Sequence, residues 1–177
     1  MSVIEATEAS SLPTLDGSLA TLRAPVAADA ESLLRIVSDP AVAEWWPEHT
    51  IEDVRRDFVE GGYGWTVVVA GEIAGWLEFD EHTDEMYSWV GLDIFITTAL
   101  HGEGHGREVL RLAIRHFIAR GHHRFTIDPA VDNERAIGAY AGVGFRPVGV
   151  MRSYERAADG TLHDALLMDL LADELTG

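Results

Sequence analysis

The alternation of apolar and polar positions changes period several times along the chain, and each change marks an element. ATLRA, residues 20 to 24, reads as a first strand, and DAESLLRIVSDP, 29 to 40, sets Leu33, Leu34 and Val37 at helical spacing before Pro40 stops the run. TIEDVRRDFVEGG, 50 to 62, reads as a second helix, with capping-box spacing at Thr50 and Asp53 and an end marked by Gly61 and Gly62. The period then becomes two. GWTVVVA and IAGWLEF flank Gly71-Glu72, a Gly-X link that predicts a hairpin of strands at 65–70 and 73–79. VGLDIFI, 90 to 96, is a further strand, after which Val109, Leu110, Leu112, Ala113, Ile114 and Phe117 hold helical spacing up to Gly121. RFTID (124 to 128) reads as strand, NERAIGAYAGVG (133 to 144) as helix, and FRPVGVMRSYE with TLHDALLMDL as a final hairpin across Ala158-Asp159-Gly160. Strands and helices interleave without repeat or linker. This predicts one mixed α/β domain over 19–177, behind a loose polar leader at 1–18.

Composition narrows the function classes. A chain of 177 residues, 47% hydrophobic, can bury a core without disulfide or metal. It has no cysteine, which excludes a thiolate nucleophile and a Cys-based zinc site. Thirty acidic residues against 13 basic give a formal charge of -17, which opposes binding to nucleic acid and suits a polycationic partner or simple solubility. The opening MSVIEATEASS has neither a basic nor an apolar targeting region, and no apolar run approaches the roughly 20 residues that span a bilayer. The expectation is a cytoplasmic protein, monomeric or homodimeric, with no membrane or nucleic-acid partner.

LHGEGHGREVL, 100 to 110, sets Gly102, Gly104 and Gly106 at alternate positions before a helix. Glycine costs about 1 kcal/mol relative to alanine inside a helix, so bare backbone here needs a use. Strand, glycine-rich turn and helix together form a phosphate cradle, because the first helical amides lack internal partners and the macrodipole is positive there. A nucleoside-triphosphate loop is excluded, since no G-K-[ST] follows the glycines. A dinucleotide fold fits poorly: Val109 stands where a third glycine belongs, and too little chain follows for a second half. The diphosphate of coenzyme A is the remaining candidate.

H101-G-E-G104-H-G106 resembles the cofactor motif of the GNAT superfamily of N-acyltransferases, Arg or Gln followed by x-x-G-x-Gly or Ala, with His101 departing from the first position. TIDPAVDNERAIGAYAGVGF, 126 to 145, resembles the family's downstream segment through Asn133, Ala136, Tyr140, Gly144 and Phe145. Within the superfamily the likeness is greatest to the aminoglycoside 6'-N-acetyltransferases, through AVAEWW (41 to 46), GLDIFI (91 to 96), IDP (127 to 129) and the N-x-x-A-I-x-x-Y spacing. The resemblance implies a mostly antiparallel mixed sheet, flanked by helices, whose parallel central strands splay. It implies acetyl-CoA as cofactor, bound by the strand residues Ile94, Phe95 and Ile96, by the turn from His101 through Gly102, Glu103, Gly104, His105 and Gly106 to Arg107, and by Asn133, Ala136 and Tyr140. Trp45, Trp46, Glu78, Asp80, Asp93 and Asp128 are implied substrate contacts, Asp93 and Tyr140 the catalytic pair, and no metal is implied.

The residues alone leave alternatives open. Strand alternation puts Asp93 and Phe95 opposite Val90, Leu92, Ile94 and Ile96, where an aspartate either pairs with an arginine or accepts a proton from an amine. Amides freed near Ile94 by strand splaying are expected to stabilise an oxyanion. Tyr140 reads as a core ring or as proton donor to a departing thiolate, and Asp128-Pro129 as a strand stop or a substrate contact. One of Trp45 and Trp46 is expected in the core and the other, beside Glu44 and Glu48, against a sugar ring. His101 and His105 have metal-pair spacing without a third ligand nearby. Glu78, Asp80, Glu81, Asp84 and Glu85 form an acidic run that either steers a polyamine or coats a solvated loop. Two other functions remain: acylation of a lysine or hydroxylysine side-chain amine in siderophore assembly, and a non-catalytic acyl-CoA-binding module.

Overall fold

A computed structural model describes residues 12–156 and 160–177. Eight strands form one mixed sheet in the order β1-β2-β3-β4-β5-β6-β8-β7. They are β1 (Leu15–Asp16), β2 (Thr21–Arg23), β3 (Gly64–Val69), β4 (Glu72–His82), β5 (Trp89–Ile96), β6 (Arg124–Ile127), β7 (Arg146–Arg156) and β8 (Leu162–Leu171). The helices are α1 (Ala30–Val37), α2 (Pro40–Ala43), α3 (Ile51–Val54), α4 (His105–Ala119) and α5 (Glu134–Ala141). Every neighbouring pair is antiparallel except β5 and β6, which run parallel.

Period-two alternation divides the core between the two faces of the sheet. Leu77, Phe79, Val90, Leu92 and Ile96 pack with Val109, Ala113, Ile114 and Phe117 of α4. Trp76 and Phe95 point the other way and pack with Leu33, Val37, Val42, Val54 and Phe58 from the α1–α3 layer. That second layer is fastened at one carboxylate. Asp29, just before α1, accepts from Arg23 Nη1 and Nη2 at 2.7 and 2.8 Å, Thr66 Oγ1 at 2.8 Å and the Val26 amide at 2.9 Å. Burial opposes its charge, but these donors win and hold its carboxyl below the usual range.

Several boundaries differ from the sequence expectation, each for a local reason. Pro40 does not merely end α1: it opens α2, where Asp39 caps the Ala41 amide at 3.0 Å and the missing N–H of proline goes unused. The Thr50–Asp53 capping box forms, but the helix behind it widens into a π-turn over Arg55–Val59. The β3–β4 link is Ala70-Gly71 rather than Gly71-Glu72, with φ of 51° and 87°, the primed-turn geometry that matches strand twist. Part of the expected leader belongs to the sheet: Leu15 and Asp16 pair with Leu22 and Thr21, and Trp65 Nε1 donates to the Pro13 carbonyl at 3.0 Å. Residues 1–11, and 157–159 of the expected final turn, lie outside the described residues.

Asp29→Ala strands Arg23 and Thr66 and loosens the α1–α3 layer. Because Arg23 can still reach water, the expected loss is at the low end for a broken buried pair, about 3 kcal/mol, read by urea denaturation.

Candidate active site

Strands β5 and β6 share only the pairs Val90↔Phe125 and Gly91↔Thr126, whereas β5 pairs with β4 along its whole length. Beyond Gly91 the parallel strands part, and a cavity of about 930 Å³ opens where they diverge. Its lining has one half that combines bared amides, two arginines and Glu134, and another dominated by carboxylates.

The first half is built by the glycine turn and α5. Gly102 and Gly104 have φ of 82° and 90°, the left-handed conformation that glycine adopts without strain, and Gly104 caps α4. A side chain at Gly102 would meet open space, so it is backbone conformation that selects glycine there. The turn aims the first amides of α4, at His105, Gly106 and Arg107, outward without helical partners, as an anionic diphosphate requires. Arg107 and Arg135 line the same half. Arg135 Nη1 donates to His101 Nδ1 at 2.7 Å, which fixes His101 as the tautomer whose Nε2–H donates to the Ile96 carbonyl at 2.9 Å. A guanidinium thus stands beside the imidazole that occupies the first motif position. Asn133 caps α5 by accepting from the Ala136 amide at 3.1 Å, which leaves its own NH2 for a ligand.

The second half is acidic. Asp57 and Phe58 come from the π-turn, Glu78 from β4, Asp93 from β5, Asp128 from the end of β6, and Tyr154 and Glu155 from β7. Glu78 and Asp93 are directly cross-strand, so their carboxylates share one face. Asp93 opens onto the cleft yet is walled by protein around it. That enclosure, with Glu78 adding negative charge, pushes its carboxyl up to about 8. Glu78 is raised by its own burial; the Trp76 indole N–H makes no full hydrogen bond but still favours the ionised form. Asp93 Oδ1 accepts from the Ile94 amide at 2.9 Å, so the amide expected to serve an oxyanion is held in this state by the neighbouring carboxylate. Tyr140 is 8% exposed, and burial followed by the charges of Asp93 and Asp128 raises its hydroxyl, which therefore stays protonated.

Most residues expected at the site converge on this one cavity: Trp45, Trp46, Glu78, Asp93, Ile94, Phe95, Ile96, His101, Gly102, Gly104, Gly106, Arg107, Asp128, Asn133, Ala136 and Tyr140. Three do not. Glu103 is exposed outside it and lies 3.5 Å from His105. His105 turns its ring away, Nδ1 lying 3.2 Å from the Leu19 carbonyl, because the first helical turn points that side chain back at the β1–β2 segment. Asp80 lies further along β4, opposite Gly91, and lines a smaller adjoining cavity instead.

Both tryptophans are half-buried, so neither is simply core: Trp46 meets Phe95 edge-on at 5.0 Å, while Trp45 lines the cavity without such a ring contact. Glu44 and Glu48 lie outside the lining. Much of the acidic run is committed elsewhere. Glu81 pairs with His122 at 2.6 Å and Arg120 at 2.8 Å, and Asp84 caps the amides of Met86 and Tyr87. Sequence reasoning missed His49, Asp57, Arg135, Tyr154 and Glu155. Arg135 was detectable as a cation on the first turn of the helix capped by Asn133, but Tyr154 and Glu155 had no signal. A bulge between Met151 and Glu155, with Ser153 at φ 52° and its amide donated to Asp164 at 2.7 Å, turns them inward. Tyr154 is pushed up to about 12, first by its hydrogen bond to Asp128.

A parted parallel strand pair, a glycine turn that bares helical amides and an acidic acceptor chamber define an acyl-CoA-dependent transferase. The acetyltransferase (GNAT) domain family model matches residues 20–146, and the chain belongs to that family, whose members use acetyl-CoA. A GNAT-family acetyltransferase from Bacillus anthracis superposes with a TM-score of 0.80 at 18% identity, over 92% of this chain and 100% of the other. RimJ of Mycobacterium smegmatis, solved with a CoA-disulfide, gives 0.74 at 25% identity over 89% and 84% of the two chains. RimL, a ribosomal L7/L12 alpha-N-protein acetyltransferase solved with coenzyme A, gives 0.79 at 22% over 92% and 99%. No curated protein matches the chain. Among the described residues no helix is long and apolar enough to cross a membrane.

The raised Asp93 carboxyl makes a stability prediction. Between an ordinary carboxylate value near 4 and about 8, the folded chain binds a proton at Asp93 that the unfolded chain releases, so stability falls as pH rises through that window. Asp93→Asn removes this slope: its melting temperature is expected to exceed that of the wild type above about pH 8 and to converge with it near pH 4. Scanning calorimetry across that range measures the difference.

Proposed function

We propose that this acetyltransferase modifies the 6'-amine of an aminoglycoside, a polycationic small molecule. The observation that carries the reading is the acceptor half of the cavity, where Asp57, Glu78, Asp93, Asp128 and Glu155 gather beside Trp45 and Trp46. Carboxylates draw ammonium groups into such a chamber, and an indole offers an apolar wall to a sugar ring.

Acetyl-CoA supplies an activated acetyl carbonyl. Gly102, Gly104 and the first amides of α4 would hold its diphosphate, with Arg107 and Arg135 as the nearby cations, and Ile94, Phe95, Ile96, Asn133 and Ala136 would flank the arm. The amine arrives as an ammonium and must lose a proton before it can attack. An ordinary carboxylate near 4 is a weak base toward an alkylammonium near 10; Asp93, raised to about 8, is far better matched. As Asp93 turns to the ammonium, the Ile94 amide it now holds becomes available to a carbonyl oxygen. Tyr140, kept protonated by burial and by the neighbouring acids, would be the proton source for a leaving thiolate.

A protein N-terminal amine is the second reading, favoured by the likeness to RimJ and to the RimL alpha-N-protein acetyltransferase. Thiol release from acetyl-CoA with aminoglycosides, polyamines, hydroxylysine and short peptides bearing a free N-terminus separates the two. Aminoglycosides are expected to turn over, with kcat/KM falling as salt screens the acidic chamber. Release confined to peptides overturns the proposal in favour of the second reading. In the wild type kcat/KM is expected to rise with pH through about 8, as Asp93 ionises. Asp93→Asn should lose that limb and more than about tenfold in turnover.

A further inference from the structure

The smaller cavity, about 250 Å³, continues from the acceptor half along the same face of the sheet and shares Glu78, Asp93, Asp128 and Tyr154 with it. It extends past Asp93 to Gly91, Thr126 and Trp89, with Asp80 on its β4 side. At about 30 Å³ per water it has room for roughly eight waters, or one ring-sized group.

Two residues set it apart from a solvent-filled dent. Thr126 is 9% exposed, yet its hydroxyl makes no hydrogen bond among the described residues and faces this cavity. The hydroxyl stays accessible from the cavity, so a ligand's donor or acceptor can take the place of water on it. Gly91, paired with Thr126 across the only stretch where β5 and β6 are joined, has no positive φ to require glycine. A Cβ there would project toward Thr126 Oγ1 at 3.8 Å and Asp80 Cβ at 3.7 Å, and would press on the Trp89 ring at 3.0 Å. Its absence keeps the floor open. Trp89 is itself held by stacking on His82, with centroids 4.0 Å apart and planes at 14°.

The geometry points to a second acceptor subsite here, which takes a distal ammonium-bearing, hydroxylated ring of the molecule whose amine reacts at Asp93. The inference rests on the amino-sugar reading and deepens it. Asp80 and Asp128 receive the ammonium, Thr126 Oγ1 a hydroxyl or amine of the ring, and Gly91 with Trp89 forms the floor against its apolar face. Tyr154 lines the cavity with Asp128 and closes the side nearest β7.

The test compares acceptors that share the reacting amine and differ in what lies beyond it. Neamine carries a second amine-bearing ring, and 6-amino-6-deoxyglucose does not. Thr126→Val, which removes only the hydroxyl, and Gly91→Ala, which fills the floor, are each expected to raise KM for neamine at least five times more than for the single ring, with kcat changed less than KM. Equal shifts on both acceptors, or none on either, overturn the subsite. If neither sugar reacts while peptides do, the amino-sugar reading fails by itself. The subsite is then judged by the same ratio on a lysine-bearing peptide and its norleucine counterpart, and equal or absent shifts there overturn it as well. Thiol release with none of these acceptors overturns both.

Discussion

Everything in the site follows from a sheet that comes apart on one side only. Strand β5 is pinned to β4 from Trp89 to Ile96, so it cannot bend away from that neighbour, while its parallel contact with β6 ends at Gly91. The unpaired edge beyond would be an unsatisfied row of amides and carbonyls if it were merely buried. Two of these groups are taken up locally: Asp93 accepts from the Ile94 amide, and His101 donates to the Ile96 carbonyl. These are substitutable partners. A ligand entering the fork finds backbone groups held by side chains that can swing aside, at less cost than breaking a ladder.

The fork also divides charge. On the α4–α5 side lie helical amides, Arg107 and Arg135, with Glu134 as the one carboxylate among the described lining residues there; on the α3–β7 side lie Asp57, Glu78, Asp128 and Glu155. Under the proposed function a polyanion and a polycation occupy one cavity without exchanging places, with the boundary at Asp93 and Ile94. The acidic side carries its own tension. Negative charge that attracts an ammonium also stabilises its proton. Enclosure first, and then the same charge, raises Asp93 to about 8, so in the proposed reaction the cluster that holds the proton on the amine also prepares a carboxylate to receive it.

Elements defined by local chemistry were legible in the sequence: the glycine turn from its positive-φ needs, the Asn133 cap, and the strand GLDIFI from its alternation. Elements defined by a register or a rotation were not. Nothing in RSYE announces that Ser153 will take a left-handed conformation and turn Tyr154 and Glu155 inward, because serine there is compelled by Asp164 across the hairpin. The π-turn is similar: RRDFV has ordinary helical composition, and only the widened turn brings Asp57 and Phe58 together at the cavity. His105 shows the converse. Its place in the motif suggested a ligand contact, but helical geometry turns its ring to the Leu19 carbonyl and leaves it out of the cavity lining. Glu81 was read with the steering acids, yet alternation puts it on the face of Phe79, opposite that of Glu78 and Asp80, within reach of His122 and Arg120.

One face of two strands explains why core and site adjoin so closely. Reading every second residue, β4 presents Trp76, Glu78 and Asp80, and β5 presents Phe95, Asp93 and Gly91, each opposite its counterpart. The aromatic pair is roofed by Phe58 and Trp46, the carboxylate pair is left under the cavity, and the aspartate–glycine pair forms the open end. Side-chain volume falls stepwise along a single surface as the helical roof gives out. A rigid aromatic layer therefore fixes the strand positions from which Glu78 and Asp93 project, and the chamber inherits its precision from a core one residue pair away. Packing at the roofed end holds carboxylates close together in a way their mutual repulsion alone would not permit.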